Sequence, residues 1–407
     1  MKIRIIYFIL PVIIGLIASA TGFTLVWRLF ILSILVPVVC YLWTFYNMRN
    51  IGSQIRSIPP KGQVGDVFDD QITLTNFSKL PKLMLEVKEE ADLPDYINMA
   101  SINLLSKASF SLNAGVHLTR RGLFHLGPYK VTAADPLGLF KQTRSFGRPA
   151  EILVYPNIVE LPVFDPLTYA NLGYGSGRWL ENQISPNVAS IRDYVSGDSL
   201  KHIHWKSAAH SSKLMVKVFD PDRSHSSVKT IWVVVDMSRD SQSGSGSQST
   251  EEYQVTIAAS VIKRYIENGW PVGMLASAQQ TYLFPPETGN YHLETMVHSL
   301  ALMKAEGQTP IDQLIAGESS RFDINTMLIV ITSSWSESLV SSLVQAKGQQ
   351  GVVVAILVDP RSFGYEGGRD NVPRSLASKG VQVYVIKKGD NLASALDSRR
   401  LTTSNIL

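Results

Sequence analysis

The feature that most constrains this chain is a pair of uncharged apolar runs near its N-terminus. Residues 5–20 and 29–45 carry no charged side chain and are rich in Ile, Leu, Val and Phe. A helix of about 20 residues crosses the roughly 30 Å core of a bilayer, so each run with modest flanks is long enough to span it. We therefore predict a transmembrane helical hairpin in residues 1–50, with spans at about 5–23 and 26–46.

Flanking charges predict the orientation of this hairpin. Basic residues outside it outnumber those between the runs: Lys2, Arg4, Arg49, Arg56 and Lys61 against Arg28. Positive residues collect on the cytoplasmic side of a membrane. We therefore expect a multi-pass membrane protein with two spans, and both ends of the hairpin and all that follows it in the cytoplasm.

A cleaved signal peptide is the alternative for the first run. Ala18, Ser19 and Ala20 follow an apolar stretch with the small-residue pattern of a cleavage site. The second run comes almost at once, however, and would stop transfer across the membrane. The uncleaved hairpin is therefore favoured.

Short β-rich runs separated by turn residues fill residues 63–161. The runs at 71–78 and 81–90 are short alternating or β-rich stretches, and Gly and Pro interrupt the rest, with a turn expected at 135–138. This spacing is typical of a small antiparallel sandwich. We predict a β-sandwich domain at 51–161 with no catalytic grouping.

A dense run of charged and aromatic residues at 191–219 lies in a linker and motif region, residues 162–229. The pattern R-x-Y-x-x-G-D followed by I-x-W-K is carried by Arg192, Tyr194, Gly197, Asp198, Ile203, Trp205 and Lys206. One interpretation is a capped turn leading into a strand, since charge-rich runs are usually surface. The other is that the run folds against the following domain, because Trp205 is costly to leave in water.

This motif, with K-L-x-V-K-x-F at 213–219, resembles the signature of the domain of unknown function 58 family. The family often has Arg-Ile-Asp-Trp where this chain has His202, Ile203, His204 and Trp205, so two charged positions depart from it. The resemblance implies a membrane hairpin before the motif and a von Willebrand factor A-like domain after it. It also implies a MoxR-type AAA+ ATPase as partner, and so a membrane-anchored cytoplasmic interaction or adaptor protein.

Apolar strand runs alternate with helical patterns from residue 230 to the end. The strand runs are 230–235, 272–276, 327–331, 352–358 and 381–386. Continuous β-branched strands between helices predict a doubly wound, mostly parallel sheet. Ligands bind such sheets at the carboxyl ends of the strands. We predict an α/β domain, which the resemblance makes von Willebrand factor A-like, over 230–407.

Polar residues follow the first of these strands. Asp236, Ser238 and Asp240 form D-x-S-x-D, where the metal site of von Willebrand factor A-like domains begins D-x-S-x-S. By the same resemblance Thr309 stands for the family's Thr, and residues 332–335 lack the later Asp. Oxygen ligands suit Mg²⁺, and the missing carboxylate predicts weak binding. The alternative is that Asp236 and Ser238 only cap the following loop and helix.

Known catalytic motifs do not occur in the sequence. It has no G-x-S-x-G elbow, Walker A loop or H-E-x-x-H motif, and we predict no enzyme. The rival hypothesis is a metal-dependent hydrolase that uses Asp236, Ser238 and Asp240. A histidine site is weaker still, because no further ligand fixes the cluster His202, His204 and His210.

Charge and cysteine content exclude further classes. The net charge of +4 is mild and dispersed, which gives no case for nucleic-acid binding, and no small-molecule substrate is evident. The single cysteine, Cys40, excludes an intramolecular disulfide, so nothing requires an oxidising compartment.

Overall fold

The computed structural model describes residues 6–55, 59–166, 188–194, 203–211, 213–219, 228–349, 352–365 and 371–398. The chain divides into two compact units, residues 1–155 and 156–407. The division comes earlier than the predicted domain boundary at 161, because residues 156–166 pack in the second unit. There Phe164 is buried in the hydrophobic core, and the Val159 N–H donates to Ser260 Oγ at 2.9 Å.

Two apolar helices open the first unit, α1 (Ile6–Thr21) and α2 (Thr24–Met48). They pack closely where Gly15 faces Phe30, since a Cβ on Gly15 would lie 2.7 Å from the ring. Of the described helices, α2 is the one long and apolar enough to cross a bilayer, and α1 is shorter. The two-span arrangement stays a prediction.

The described residues of the first unit also form nine strands. They are β1 (Ile51–Ile55), β2 (Lys61–Gln63), β3 (Val67–Asn76), β4 (Lys82–Ala91), β5 (Met99–Leu104), β6 (Ser109–His117), β7 (Gly122–Ala134), β8 (Lys141–Phe146) and β9 (Ala150–Tyr155). One sheet has the order β1-β3-β6 and the other β2-β9-β7-β4-β5, with β8 also paired to β7.

A shared core joins these two sheets. Ile72 and Leu74 from the first sheet pack with Leu85, Val87 and Val131 from the second. The pairs are antiparallel except β2 with β9, which is parallel. From residue 70 onward, buried residues alternate with half-buried ones along β3, as packing of one face against the core requires. The predicted β domain is confirmed in its strands and in its mostly antiparallel pairing.

The first strands described in the second unit form a small hairpin, with a short helix between them in sequence. They are β10 (Val188–Asp193), α3 (Trp205–Ser211) and β11 (Met215–Phe219), with β10 antiparallel to β11. A six-stranded sheet follows, made of β12 (Thr230–Val235), β15 (Val272–Ser277), β16 (Thr281–Glu287), β17 (Thr326–Thr332), β18 (Val352–Val358) and β19 (Gln382–Ile386). The short pair β13 (Gly244–Ser245) and β14 (Gln248–Ser249) lies after β12.

The sheet order is β16-β15-β12-β17-β18-β19, and every pair is parallel except β15 with β16. Its helices are α4 (Thr250–Glu267), α5 (Asn290–Leu302), α6 (Ile311–Gly317), α7 (Glu337–Gln349), α8 (Val372–Ser378) and α9 (Leu392–Ala395). Both faces are buried: Val233 and Val235 of β12 join one core, and Trp232 and Val234 join the other. The second unit therefore combines helices with a mixed, mostly parallel sheet, and the von Willebrand factor A-like fold stays a prediction.

Candidate functional site

The candidate site lies at the carboxyl edge of the second unit's sheet, where β12 and β17 end side by side. Parallel pairing aligns Val235 with Ile331, so the next residues, Asp236 and Thr332, are neighbours. The Asp236 N–H continues the ladder by donating to the Ile331 carbonyl at 2.9 Å. Both side chains are buried, with Asp236 only 1% exposed. The site therefore sits where two buried apolar strands give way to polar residues.

Three internal donors surround the Asp236 carboxylate. Its Oδ1 accepts from the Ser238 N–H at 3.1 Å and from Ser238 Oγ at 2.6 Å. Its Oδ2 accepts from Thr332 Oγ1 at 2.6 Å. Burial raises the pKa of the Asp236 carboxyl, while the Ser238 and Thr332 donors oppose that shift. The hydrogen bonds of the Asp236 carboxyl group therefore come from neighbouring protein groups.

The loop that bears Thr309 runs beside this pair. Ser238 forms a parallel bridge with Gly307, in which the Arg239 N–H donates to the Gly307 carbonyl at 2.9 Å and the Gly307 N–H to the Met237 carbonyl at 3.0 Å. A Cβ on Gly307 would lie 2.1 Å from the carbonyl oxygen of Ser277, so only glycine fits. Thr309 follows two positions later and is half-buried.

Asp240 stands apart from the buried group. It is exposed in a 3-10 turn, Arg239–Ser241, that follows Ser238. The structure thus brings together Asp236, Ser238 and the Thr309 loop but leaves Asp240 at the surface.

Two glutamines that the sequence did not point to make hydrogen bonds that hold the Asp236 loop in place. Gln242 Nε2 donates to the Asp236 carbonyl at 2.9 Å. The Gln254 amide lies 2.8 Å from Ser333 Oγ, and Ser333 Oγ donates to the Ser241 carbonyl at 2.5 Å. Gln254 is fully buried among the apolar residues of α4. A polar residue on the buried face of an amphipathic helix is the signal that could have identified it.

The candidate site has the oxygen ligands that a hard cation prefers, but among the described residues it lacks a cluster of acidic side chains. The oxygens of Asp236, Ser238 and Thr332 are of the type Mg²⁺ prefers. The Asp236 carboxylate accepts three hydrogen bonds, and the Ser238 and Thr332 hydroxyls that donate to it keep lone pairs on their oxygens. Within the described part of the chain, no three His, Cys, Asp or Glu side chains are placed to hold a metal. Asp236 accepts the Ser238 N–H within the loop, whereas Ser238 makes no side-chain cap bond to the 3-10 turn and Ser249 caps the following helix. Weak Mg²⁺ binding stays a prediction.

The motif region is described in part. The Tyr194 N–H donates to the Leu214 carbonyl at 2.9 Å, and Arg192 pairs with Val216 across the hairpin. Gly197, Asp198 and the side chains of Arg192 and Lys206 lie outside the described residues. We expect Arg192 to pair with Asp198, six residues away across the predicted Gly197 turn, and this stays a prediction.

The predicted burial of Trp205 is wrong. Its side chain is 68% exposed at the first residue of α3. Ile203 and Val216, which form a bridge, supply the buried apolar contact instead.

His204 has a local role at the start of α3. Its Nδ1 lies 2.7 Å from Ser207 Oγ and accepts from the Ser207 N–H at 3.2 Å. This contact caps the first turn of the helix. His202 and the side chain of His210 lie outside the described residues, so the histidine-cluster hypothesis is untested.

Comparison with known families places these elements in context. A family model described as "Protein of unknown function DUF58" matches residues 190–364. The match supports assignment to DUF58. The matched residues run from within β10 to beyond β18. They include most of the β10–β11 hairpin, and also Asp236, Gly307 and Thr332.

A relative of unknown function extends the similarity along the chain. The uncharacterized protein YeaD of Bacillus subtilis (strain 168) is 24% identical over 338 residues, which cover 80% of this chain and 81% of the relative. The similarity to this relative therefore extends over most of the chain, beyond the segment that matches the family model.

The similarity of this chain to solved structures is low. A chain of the alkylpurine DNA glycosylase AlkC of Pseudomonas fluorescens, bound to DNA containing an abasic site analog, is 14% identical with a TM-score of 0.20, covering 26% of this chain and 30% of its own. The human complex of zinc 2-glycoprotein and prolactin inducible protein gives 13% identity and a TM-score of 0.22, covering 26% of this chain and 98% of its own. Scores this low do not indicate a shared fold.

Proposed function

We propose that this protein is a membrane-anchored cytoplasmic adaptor whose second unit is a von Willebrand factor A-like domain that binds a MoxR-type AAA+ ATPase. The observation that carries the proposal is the joining of the Asp236 and Gly307 loops at the carboxyl edge of the six-stranded sheet. The protein acts by binding and catalyses no reaction of its own.

The sheet supports the von Willebrand factor A-like assignment. Numbered by chain order within the sheet, its strands run 3-2-1-4-5-6, with the third strand antiparallel at one edge. Open α/β sheets of this order bind ligands at the carboxyl ends of the strands, where the order reverses. Asp236 follows the first strand, at that reversal.

The surface around the joined loops suits protein recognition. Arg239, Asp240, Glu306 and Gln308 are all exposed on either side of the Ser238–Gly307 bridge. The buried hydrogen bonds beneath them fix the two loops without consuming these side chains. A rigid polar rim of this kind provides specificity and orientation in protein contacts.

The first unit supplies the anchor in this proposal. Helix α2 has the length and apolar composition of a membrane span. With α1 it forms the hairpin that keeps both ends of the pair in the cytoplasm, where an AAA+ ATPase is found. In this proposal Mg²⁺ binds weakly at Asp236 and alters the conformation of the exposed polar rim around the two loops.

Capture of a purified MoxR-type ATPase by the detergent-solubilised full chain tests the proposal. We expect Asp240→Ala to abolish capture without changing the melting temperature. The matched control is Glu267→Ala, which removes an exposed acid at the far end of α4, where Glu267 lies 3.8 Å from Lys263. Equal capture by both variants would remove the rim from the interface. Failure of the unaltered chain to bind the ATPase would reject the partner.

A further inference from the structure

Three loops at one end of the first unit's β domain carry exposed apolar side chains. They are the β3–β4 loop (77–81), the β5–β6 loop (105–108) and the β7–β8 loop (135–140). Their large exposed apolar residues are Phe77, Leu80, Leu105 and Leu137. Antiparallel pairing brings these strand ends to the side on which α2 enters the domain through β1.

Hydrogen bonds fix the first two loops to each other and to the end of α2. The Phe77 N–H donates to the Asn50 carbonyl at 3.0 Å, and the Lys107 N–H donates to the Ser78 carbonyl at 3.3 Å. Beside them the buried Lys82 ammonium donates to the Tyr46 carbonyl and lies 3.8 Å from the centroid of the Tyr46 ring. The first two loops are therefore held in fixed positions relative to the end of α2.

The third loop reaches further along α2. Leu139 and Phe140 are buried against Cys40, and the rings of Tyr41 and Phe140 meet edge to face at 5.8 Å. Cys40 precedes the end of α2 at Met48 by about 12 Å at the helical rise of 1.5 Å per residue. The predicted span at 26–46 ends six residues, or about 9 Å, after Cys40. That places the β7–β8 loop near the boundary between headgroups and acyl chains, where the apolar side chains of interfacial segments lie.

The charges on these loops match an anionic surface. Lys79 and Lys107 are exposed in the sequences FSKL and LSKA, and neither of those two loops contains an acid. Asp135 of the third loop is buried and accepts the N–H groups of Leu137, Leu139 and Phe140. Apolar side chains flanked by lysines bind anionic lipid interfaces through burial and charge together.

We propose that these three loops insert into the interface of an anionic membrane leaflet beside α2. The β domain is then held in one orientation on the membrane instead of hanging from a flexible tether. This inference rests on the proposed anchoring by α2, and it adds a second lipid contact that a single anchor does not require.

Fluorescence quenching in nanodiscs tests the proposal with the full chain. Cys40→Ala leaves the chain free of cysteine, and Leu105→Cys or Ile97→Cys then carries an environment-sensitive label. Ile97 is the matched control because it is 85% exposed in the β4–β5 loop, at the opposite end of the domain. We expect brominated lipid to quench the label at 105 and iodide to quench the label at 97.

A double lysine variant tests whether the charges of the two lysines contribute to insertion in the membrane. In the Lys79→Gln, Lys107→Gln double variant, iodide should reach the label at 105 more easily in discs with anionic lipid. In zwitterionic discs the two lysines should make no difference. Protection that is unchanged in anionic discs would overturn the role of the lysines.

Three other outcomes contradict the inference and are distinguishable. A label at 105 as open to iodide as the label at 97, in protein that co-purifies with the disc, would overturn loop insertion while leaving the anchor intact. Shielding of the label at 105 from both quenchers would identify a protein as the occupant in place of lipid. A chain that does not co-purify with the disc would reject the anchor, and this inference with it.

Discussion

A buried pair of acids in the β domain predicts an unusual dependence of stability on pH. Asp70 on β3 and Glu89 on β4 are both buried between the sheets. Tyr96 Oη donates to Glu89 Oε2 at 2.6 Å, Asn98 Nδ2 donates to the same atom at 3.2 Å, and the Tyr129 hydroxyl donates to Asp70. Burial raises the pKa of Glu89 from 4.5 to about 7, with Asp70 adding to the shift and Tyr96 and Asn98 opposing it.

The sign and size of the effect follow from that shift. Between pH 4.5 and about pH 7 the folded protein holds a proton on Glu89 that the unfolded chain releases. Stability is therefore present below pH 4.5 and is lost as the pH rises through this range. At about 1.4 kcal/mol per pKa unit the loss is about 3 kcal/mol, on the order of 10 °C in melting temperature for a domain of this size.

Glu89→Gln removes the titration and keeps the shape of the side chain. We expect the variant to show no such loss between pH 5 and pH 8, and to exceed the unaltered protein in stability at pH 8 by up to about 3 kcal/mol. Glu90→Gln is the matched control, because Glu90 is adjacent, exposed and paired with Lys130 at the surface.

Calorimetry of the detergent-solubilised chain at both pH values measures the effect. A Leu85→Ala variant identifies the transition of the first unit, since Leu85 lies in its core. Parallel pH dependence in the unaltered protein and in Glu89→Gln would refute the argument. So would destabilisation by Glu89→Gln that is equal at pH 5 and pH 8.

Three further predictions concern the second unit. Gly307→Ala should lower stability by about 1–3 kcal/mol in a melting experiment, because the Cβ meets the Ser277 carbonyl, whereas Gly317→Ala, with open space around it, should not; equal effects would contradict the close approach. Calorimetric titration should show Mg²⁺ binding no tighter than about millimolar and lost in Asp236→Asn, and micromolar binding would overturn the view of a carboxylate-poor site. Trp205→Ala should change the free energy of unfolding by less than about 0.5 kcal/mol, since the ring is exposed. A loss of several kcal/mol would show that the ring is buried, as the sequence had indicated.

Strands of the second unit were predictable because their physics is local. The runs of β12, β17 and β18 are continuous and β-branched, as strands buried on both faces must be. Strand β16 was not predicted, since Pro285 and Pro286 disfavour a strand. The two prolines lie at an edge strand where its pairing with β15 is irregular, between Phe284 and Glu287, so neither has to donate to a regular ladder.

The candidate site was predictable only along one segment of chain. Asp236 and Ser238 lie two residues apart, so their pairing could be inferred from spacing. Thr332 reaches Asp236 through the register of parallel strands, and Gly307 reaches Ser238 through a bridge between loops. Such contacts depend on tertiary packing, which no local pattern encodes. The exposure of Trp205 was missed for the same reason.

Site-specific photocrosslinking in intact membranes tests the central claim most directly. A photoreactive amino acid at Gln308, which is exposed beside the Ser238–Gly307 bridge, should give a covalent product with a MoxR-type AAA+ ATPase. The same group at Glu267, at the far end of α4, should give none. A product at Glu267 but not at Gln308 would contradict the assignment of the rim, and no ATPase product at either position would contradict the adaptor function.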